Sequence, residues 1–105
     1  MSAFNNGMGV TKISFSRVIH NYCPLGADWY TNNIDVEMTP GETIPDYCDI
    51  DKMFNEINGQ HLIIEQVVAQ VFDTLQKDYA PIYLKVTSYV DDAVHLPVVV
   101  EKETK

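Results

Sequence analysis

The stretch that decides the fold is LIIEQVVAQVFDTLQK, residues 62–77. Its apolar residues recur at helical spacing and predict a buried stripe of Ile64, Val67, Val68, Val71 and Leu75, widened by Leu62 and Phe72. Several of these residues are β-branched and would also suit a strand, but the periodic stretch is longer than a normal strand. The sequence therefore predicts a long amphipathic helix that ends before Pro81.

A shorter helix precedes the long one. Four apolar residues at helical spacing predict it: Ile50, Met53, Phe54 and Ile57. Asp49 is a good N-cap for this helix, and Asn58-Gly59 is a typical C-terminal signal. The two helices are thus expected to follow each other directly, with a short turn between them.

Alternating patterns on both sides of the helices predict four strands, at residues 11–19, 30–38, 82–87 and 94–100. In the second strand, apolar side chains face one way and polar side chains the other. In the last strand Val94, Leu96, Val98 and Val100 are expected to form one face. Pro97 cannot donate a ladder hydrogen bond, so this strand is expected at a sheet edge or with a bulge.

The element order ββααββ predicts an α+β fold, a four-stranded antiparallel sheet with two helices on one face. Residues 1–9 are expected to be a flexible leader, residues 10–101 a single domain and residues 102–105 a charged tail. The open sheet edges and the second face need covering, so we expect a homo-oligomer.

Charge and composition exclude several classes of protein. The chain has 105 residues with 15 acidic and 7 basic side chains, a net charge of −8, and Arg17 is its one arginine. Strong autonomous binding to a nucleic acid is therefore not expected, because no basic stripe neutralises phosphates. No apolar run reaches the length of a membrane span. Two cysteines make no disulfide framework, which favours free thiols in a reducing, cytoplasmic compartment.

Cys23 is the first candidate for chemistry. It lies in a turn-rich stretch between the first two strands, NYCPLGAD at residues 21–28. Such loops commonly present nucleophiles, and a thiolate adds readily to an electrophilic carbon while Asp28 manages the proton. The alternative is that Cys23 is a small buried hydrophobe, the usual role of a lone free cysteine. Cys48 lies between acidic residues, which disfavour a thiolate.

Glu65 is the second candidate, because its helical neighbours are largely apolar and a carboxylate there is costly unless it meets a partner or a ligand. His61 projects from the same side one turn earlier. Glu65 either accepts two N–H groups of a nitrogen-rich heterocycle or is a boundary residue, half in solvent and bonded to His61. The three histidines show no metal-ligand spacing, and no metal is expected.

These residues together resemble a known family. The order ββααββ with a lone Glu in the second helix is similar to the tunnelling fold of pterin- and purine-handling enzymes. Within it, the chain resembles the 7-cyano-7-deazaguanine (nitrile) reductases of queuosine biosynthesis, and most of all their short archaeal relatives, the archaeosine-synthase amidinotransferases. The resemblance covers residues 13–101 and is carried by Cys23-Pro24, Pro40, residues 58–65 and residues 81–87.

The resemblance implies an oligomeric barrel whose sites lie between subunits. Cys23 would attack the nitrile of 7-cyano-7-deazaguanine, free or in a nucleic acid, and form a covalent thioimide. Glu65 would hold the guanine-like edge. Ammonia would then give a formamidine, with no cofactor. In the alternative reaction NADPH would reduce the nitrile to an amine, but residues 46–52, which match the NADPH stretch, are nearly stripped of cations.

The chain departs from the family at two positions. Tyr30 stands where the family has its acid, seven residues after the cysteine, so Asp28 is the nearest substitute. Ile64 stands where the family has a histidine before the anchor Glu, so His61 is the nearest substitute.

Two further interpretations stay open. Dihydroneopterin aldolases share the fold, and their tyrosine before the first helix resembles Tyr47, which makes Tyr47 a candidate binding residue. Their catalytic lysine has no counterpart at residues 87–89. The other interpretation is a non-catalytic protein of the same fold that binds a pterin or a purine.

Overall fold

The computed structural model describes residues 2–105 and consists of one main sheet, one small sheet and two helices. In chain order the elements are β1 (Ala3–Asn5), β2 (Ile13–Cys23), β3 (Asp28–Thr39), β4 (Thr43–Pro45), α1 (Tyr47–Ile57), α2 (Ile64–Tyr79), β5 (Tyr83–Val90) and β6 (Val98–Glu103). The main sheet is antiparallel with the order β2-β3-β5-β6. The predicted α+β fold is confirmed.

The core lies between the helices and one face of this sheet. Side chains alternate along β3 and β5, so that Ile34, Val36 and Val86 are buried against the helices. The predicted stripe of α2 faces them, with Val67, Val71 and Leu75 fully buried. Phe54 of α1 completes this layer. The helical periodicity of the sequence thus predicts the core correctly.

The helix starts differ from the predicted ones. α1 begins at Tyr47, and its N-cap is Asp46, whose side chain accepts a hydrogen bond from the Cys48 N–H at 2.9 Å. Asp49, the predicted cap, lies inside the first turn, because an equally good capping residue precedes it. α2 begins at Ile64, so Leu62 lies ahead of the helix and Glu65 lies in its first turn.

The ends of the chain carry more regular structure than expected. β1 pairs with β4, so residues Ala3–Asn5 of the expected flexible leader form an antiparallel pair; Met1 lies outside the described residues. β6 reaches Glu103, two residues into the expected tail, and it occupies a sheet edge as predicted. Among residues 2–105, no helix is long and apolar enough to cross a membrane.

The predicted fourth strand begins four residues late. Val94 and Leu96 lie in the connection between β5 and β6 and are 72% and 75% exposed. The prediction that they belong to the fourth strand is therefore wrong. Asp92 explains the departure, because its carboxylate accepts hydrogen bonds from the N–H and the hydroxyl of Thr31 and holds the chain away from the ladder. Ile82, the first residue of the predicted third strand, is 70% exposed just ahead of β5.

Three buried polar residues cross the sheet under the helices: Asn21, Asn32 and Ser88. The Asn32 amide donates to the Asn21 side chain at 2.9 Å and accepts from the Ser88 hydroxyl at 2.8 Å. Asn21 in turn donates to the carbonyl of Ile57 at 2.9 Å. Each buried group therefore has a partner, which offsets the cost of taking it out of water.

Candidate functional site

A cavity of about 380 Å³ lies at the end of the sheet where both hairpins turn. Three segments that are far apart in the sequence form its walls: the turn between β2 and β3, the start of α2, and the connection between β5 and β6. Most of its lining is apolar. The titratable side chains that line it are Cys23, Asp28, Tyr30, Glu65 and His95.

Cys23 and Glu65 line this cavity in a single chain. The resemblance implies a site between subunits, and in the structure one chain brings both residues to one cavity. Cys23 is half-buried at the end of β2, and its Sγ accepts a hydrogen bond from the Gly26 N–H at 3.3 Å. This N–H group stabilises negative charge on the sulfur.

Asp28, the predicted proton-handling acid, lines the same cavity. It lies directly across the hairpin from Cys23, because the two residues form the last pair of the β2–β3 ladder. Its Oδ1 accepts a hydrogen bond from the Trp29 N–H at 2.8 Å. The side chain is thus an acceptor at the wall of the cavity.

Glu65 is exposed in the single chain, as in the alternative of a boundary residue. The reason is the start of α2 at Ile64, which places Glu65 in the first helical turn rather than in the middle of a buried stripe. Its carboxylate lies near the positive end of the helix dipole, where a negative charge is favourable.

The structure does not bring His61 or Tyr47 to this cavity. The His61 ring packs on Tyr22, with ring centroids 4.7 Å apart, and lies edge-on to Trp29 at 6.5 Å. Tyr47 starts α1, is 56% exposed, and packs its ring edge against Phe15 at 6.5 Å.

Tyr30 is a lining residue that the sequence reasoning did not select, although it holds the position of the family's acid. It is buried, and its hydroxyl donates to the carbonyl of Leu62 at 2.5 Å. Burial raises the pKa of Tyr30, and the charges of Cys23 and Glu65 add to this, against a hydrogen bond from Asn32 that lowers it. Tyr30 therefore ties β3 to the start of α2 and keeps its proton.

His95 is the second lining residue that sequence reasoning missed. It lies in the connection of residues 91–97, between exposed Val94 and Leu96. The only signal that could have found it is the turn marked by Asp91 and Asp92, because a hairpin turn beside Cys23 must occupy the same end of the sheet. The predicted strand across residues 94–100 concealed this loop.

Most lysine and arginine side chains form ion pairs outside the cavity. Five of the seven form ion pairs with carboxylates, namely Lys12–Glu37, Arg17–Asp51, Lys52–Asp49, Lys85–Glu101 and Lys102–Asp73. Of the residues described, no lysine or arginine lines the cavity. Within residues 2–105, no cluster of three or more His, Cys, Asp and Glu side chains could hold a metal ion.

No family model and no curated protein matches the chain. Among solved structures, the chain is similar to the crystal structure of the archaeosine synthase QueF-Like in the apo form, with a TM-score of 0.83 and 18% identity over 90% of this chain and 94% of that one. The fold is shared with an archaeosine synthase. This likeness confirms the tunnelling fold and agrees with the resemblance found in the sequence. At this identity the likeness shows the fold alone.

Proposed function

We propose that this protein converts the nitrile of 7-cyano-7-deazaguanine into a formamidine through a covalent thioimide on Cys23. The observation that carries the proposal is that a half-buried thiol and the carboxylate of Glu65 line one cavity. A nucleophile and an anchor for a nitrogen heterocycle are the two groups this reaction needs.

The cavity suits a flat heterocycle. Its volume of about 380 Å³ lies in the range of small-molecule sites, and its walls are mostly apolar. A carboxylate accepts two neighbouring N–H groups at once, as a guanine-like edge presents them, and Glu65 supplies this group at the start of α2. Trp29 and Tyr30 also line the cavity.

The chemistry follows from the thiol. The Cys23 proton passes to Asp28, and the sulfur forms a bond to the nitrile carbon while one π pair of the nitrile moves to nitrogen, which is then protonated. Ammonia adds to the resulting thioimide carbon, and the new ammonium group releases one proton, which balances the proton that the nitrile nitrogen took up. The carbon–sulfur bond breaks, its electron pair returns to sulfur, and the formamidine leaves. Sulfur recovers its proton from Asp28.

The charge of the site supports ammonia over NADPH. A nicotinamide phosphate is held by lysine and arginine side chains, and no such side chain lines the described cavity. The residues therefore do not fit that cofactor. The same observation weighs against an aldolase, which needs a lysine. Asp28 and Glu65 instead suit the approach of a small cation such as ammonium.

Charge also favours the free heterocycle over a base within a nucleic acid. The net charge is −8, and most cations are already paired with carboxylates of the same chain. A polynucleotide would find little positive surface on one subunit. Binding of a polynucleotide would require several subunits to bring their lysine and arginine side chains together.

A homo-oligomer and a reducing cytoplasmic compartment complete the proposal. The sheet face away from the helices exposes Val18, Trp29, Tyr89 and Val99, apolar surface that a second copy would cover. Both cysteines are free, as expected of a protein in a reducing compartment.

Intact-mass spectrometry after incubation with 7-cyano-7-deazaguanine tests the covalent step. We expect a gain of one ligand mass in the wild type and in Cys48→Ala, a matched control because Cys48 is exposed and outside the cavity. We expect no gain in Cys23→Ala. Tight binding without an adduct would instead indicate a binding protein. The absence of both binding and adduct would contradict the proposal.

The second half of the reaction is tested by adding ammonium or NADPH to the isolated adduct and identifying the released product. Ammonium should release the formamidine and restore the free thiol. Release of an aminomethyl product with NADPH would contradict the choice of ammonia.

A further inference from the structure

The connection between β5 and β6 is fixed beside Cys23 at two points. Asp92 accepts hydrogen bonds from the Thr31 N–H at 2.9 Å and from the Thr31 hydroxyl at 2.6 Å, which fastens the start of the connection to β3. Further along, Val94 packs on Gly26, since a Cβ added to Gly26 would lie 3.4 Å from the Val94 methyl group. His95 is therefore held at the wall of the cavity that contains the thiol.

The tautomer of His95 follows from its hydrogen bond. Nδ1 lies 2.8 Å from the carbonyl oxygen of Leu96. A carbonyl only accepts, so Nδ1 carries a hydrogen and donates it. Nε2 is then left to accept a proton when the ring is neutral and to donate one when the ring is charged.

The other titratable groups of the cavity are poor donors of a proton to a nitrile nitrogen. Asp28 accepts a hydrogen bond from Trp29, and Glu65 is an exposed carboxylate at the start of a helix. Tyr30 already donates to Leu62, and its pKa is raised. Among the described residues, His95 is the one histidine that lines the cavity, and an imidazole can both give and take a proton.

We propose that His95 moves the protons of the substrate nitrogens while Asp28 holds the proton of Cys23, an inference that rests on the proposed function. When sulfur adds to the nitrile carbon, charged His95 gives the Nε2 proton to the nitrile nitrogen and becomes neutral. When ammonia adds to the thioimide, Nε2 takes one proton from the new ammonium group. The carbon–sulfur bond then breaks, and both His95 and the sulfur return to their starting states.

The test is the rate of adduct formation as a function of pH. In the wild type the rate should follow a bell, because it needs a thiolate and a charged imidazole at once. The groups that face His95 and shape the bell are Cys23, Asp28, Tyr30 and Glu65, together with Asp91 and Asp92 of its own connection.

His95→Asn keeps an N–H donor for Leu96 but removes Nε2. Adduct formation should slow by about 100-fold, the low end for general acid catalysis, and the falling limb of the bell should disappear. Because His95 is exposed, the melting temperature should not change. In His95→Ala, added imidazole should restore part of the rate, an effect that a merely structural role would not produce.

His61→Asn tests the alternative assignment, because the resemblance makes His61 the nearest substitute for the family's histidine. Loss of the bell in His61→Asn, with a wild-type profile in His95→Asn, would overturn the assignment to His95. A wild-type rate and bell in His95→Asn would also overturn it, and the adduct on Cys23 would still support the proposed function. Absence of any adduct in the wild type would contradict both.

Discussion

The core under the helices and the hairpin end of the sheet are built in different ways. Between the helices and the strands, the core consists of fully buried aliphatic side chains such as Val67, Val71 and Leu75. At the hairpin end, the cavity is held by polar contacts between distant segments, such as Tyr30 to Leu62 and Asp92 to Thr31. The first region supplies stability through burial, and the second gathers titratable side chains around a cavity. Mutations should therefore separate stability from activity.

The largest effect is expected in the core. Leu75→Ala removes a fully buried side chain and leaves a cavity, so the free energy of unfolding should fall by about 2–5 kcal/mol. Denaturant unfolding measures this. Below its unfolding transition the variant should still form the Cys23 adduct, because Leu75 does not line the cavity. Loss of the adduct in the folded variant would show that the two regions are not separable.

Glu65→Gln changes the cavity and should affect binding rather than stability. The amide keeps the size of the side chain but accepts fewer hydrogen bonds, so the affinity for 7-cyano-7-deazaguanine should fall by about 1.5–3 kcal/mol, the value of hydrogen bonds to a charged group. Stability should change little because Glu65 is exposed. Calorimetric titration of Cys23→Ala with and without Glu65→Gln measures binding alone. Gln66→Glu, which adds an exposed acid next to it, is the control, and an equal loss there would contradict an anchor at Glu65.

Asn32→Ala probes the boundary between the two regions. Its amide joins Asn21 and Ser88 under the helices, and its removal leaves their buried groups without this partner. The free energy of unfolding should fall by about 1–3 kcal/mol. Thermal and denaturant unfolding measure the loss, and an unchanged stability would mean that water replaces the amide.

The smallest effect concerns the anchor of the β5–β6 connection. The hydrogen bonds from Thr31 lower the pKa of Asp92 below its ordinary value of 3.8. A lowered pKa in the folded state stabilises the protein above the unfolded value, and this stabilisation is lost as the pH falls through the folded value. As the pH falls below 3.8, the wild type should therefore lose more stability than Asp92→Asn. Asp91→Asn, the exposed neighbour, should follow the wild type, and identical slopes in all three would contradict the anchor.

Periodicity predicts the core because burial repeats along each element, and this is why the α2 stripe around Val71 and Leu75 is correct. It fails where a single polar contact overrides it, as Asp92 does when it delays β6 and exposes Leu96. Cys23 and Glu65 could be selected from residue chemistry and resemblance. His95 was harder to select, because the turn marked by Asp91 and Asp92 places it at this end of the sheet but does not show how the two hairpin turns pack.

A crystal structure of Cys23→Ala with 7-cyano-7-deazaguanine tests whether one cavity holds both the nitrile and the guanine-like edge. We expect the ring in the cavity between the hairpin turns, with its N–H edge within hydrogen-bond distance of the Glu65 carboxylate and its nitrile carbon facing position 23. A ring bound elsewhere, or one whose nitrile points away from position 23, would contradict this expectation.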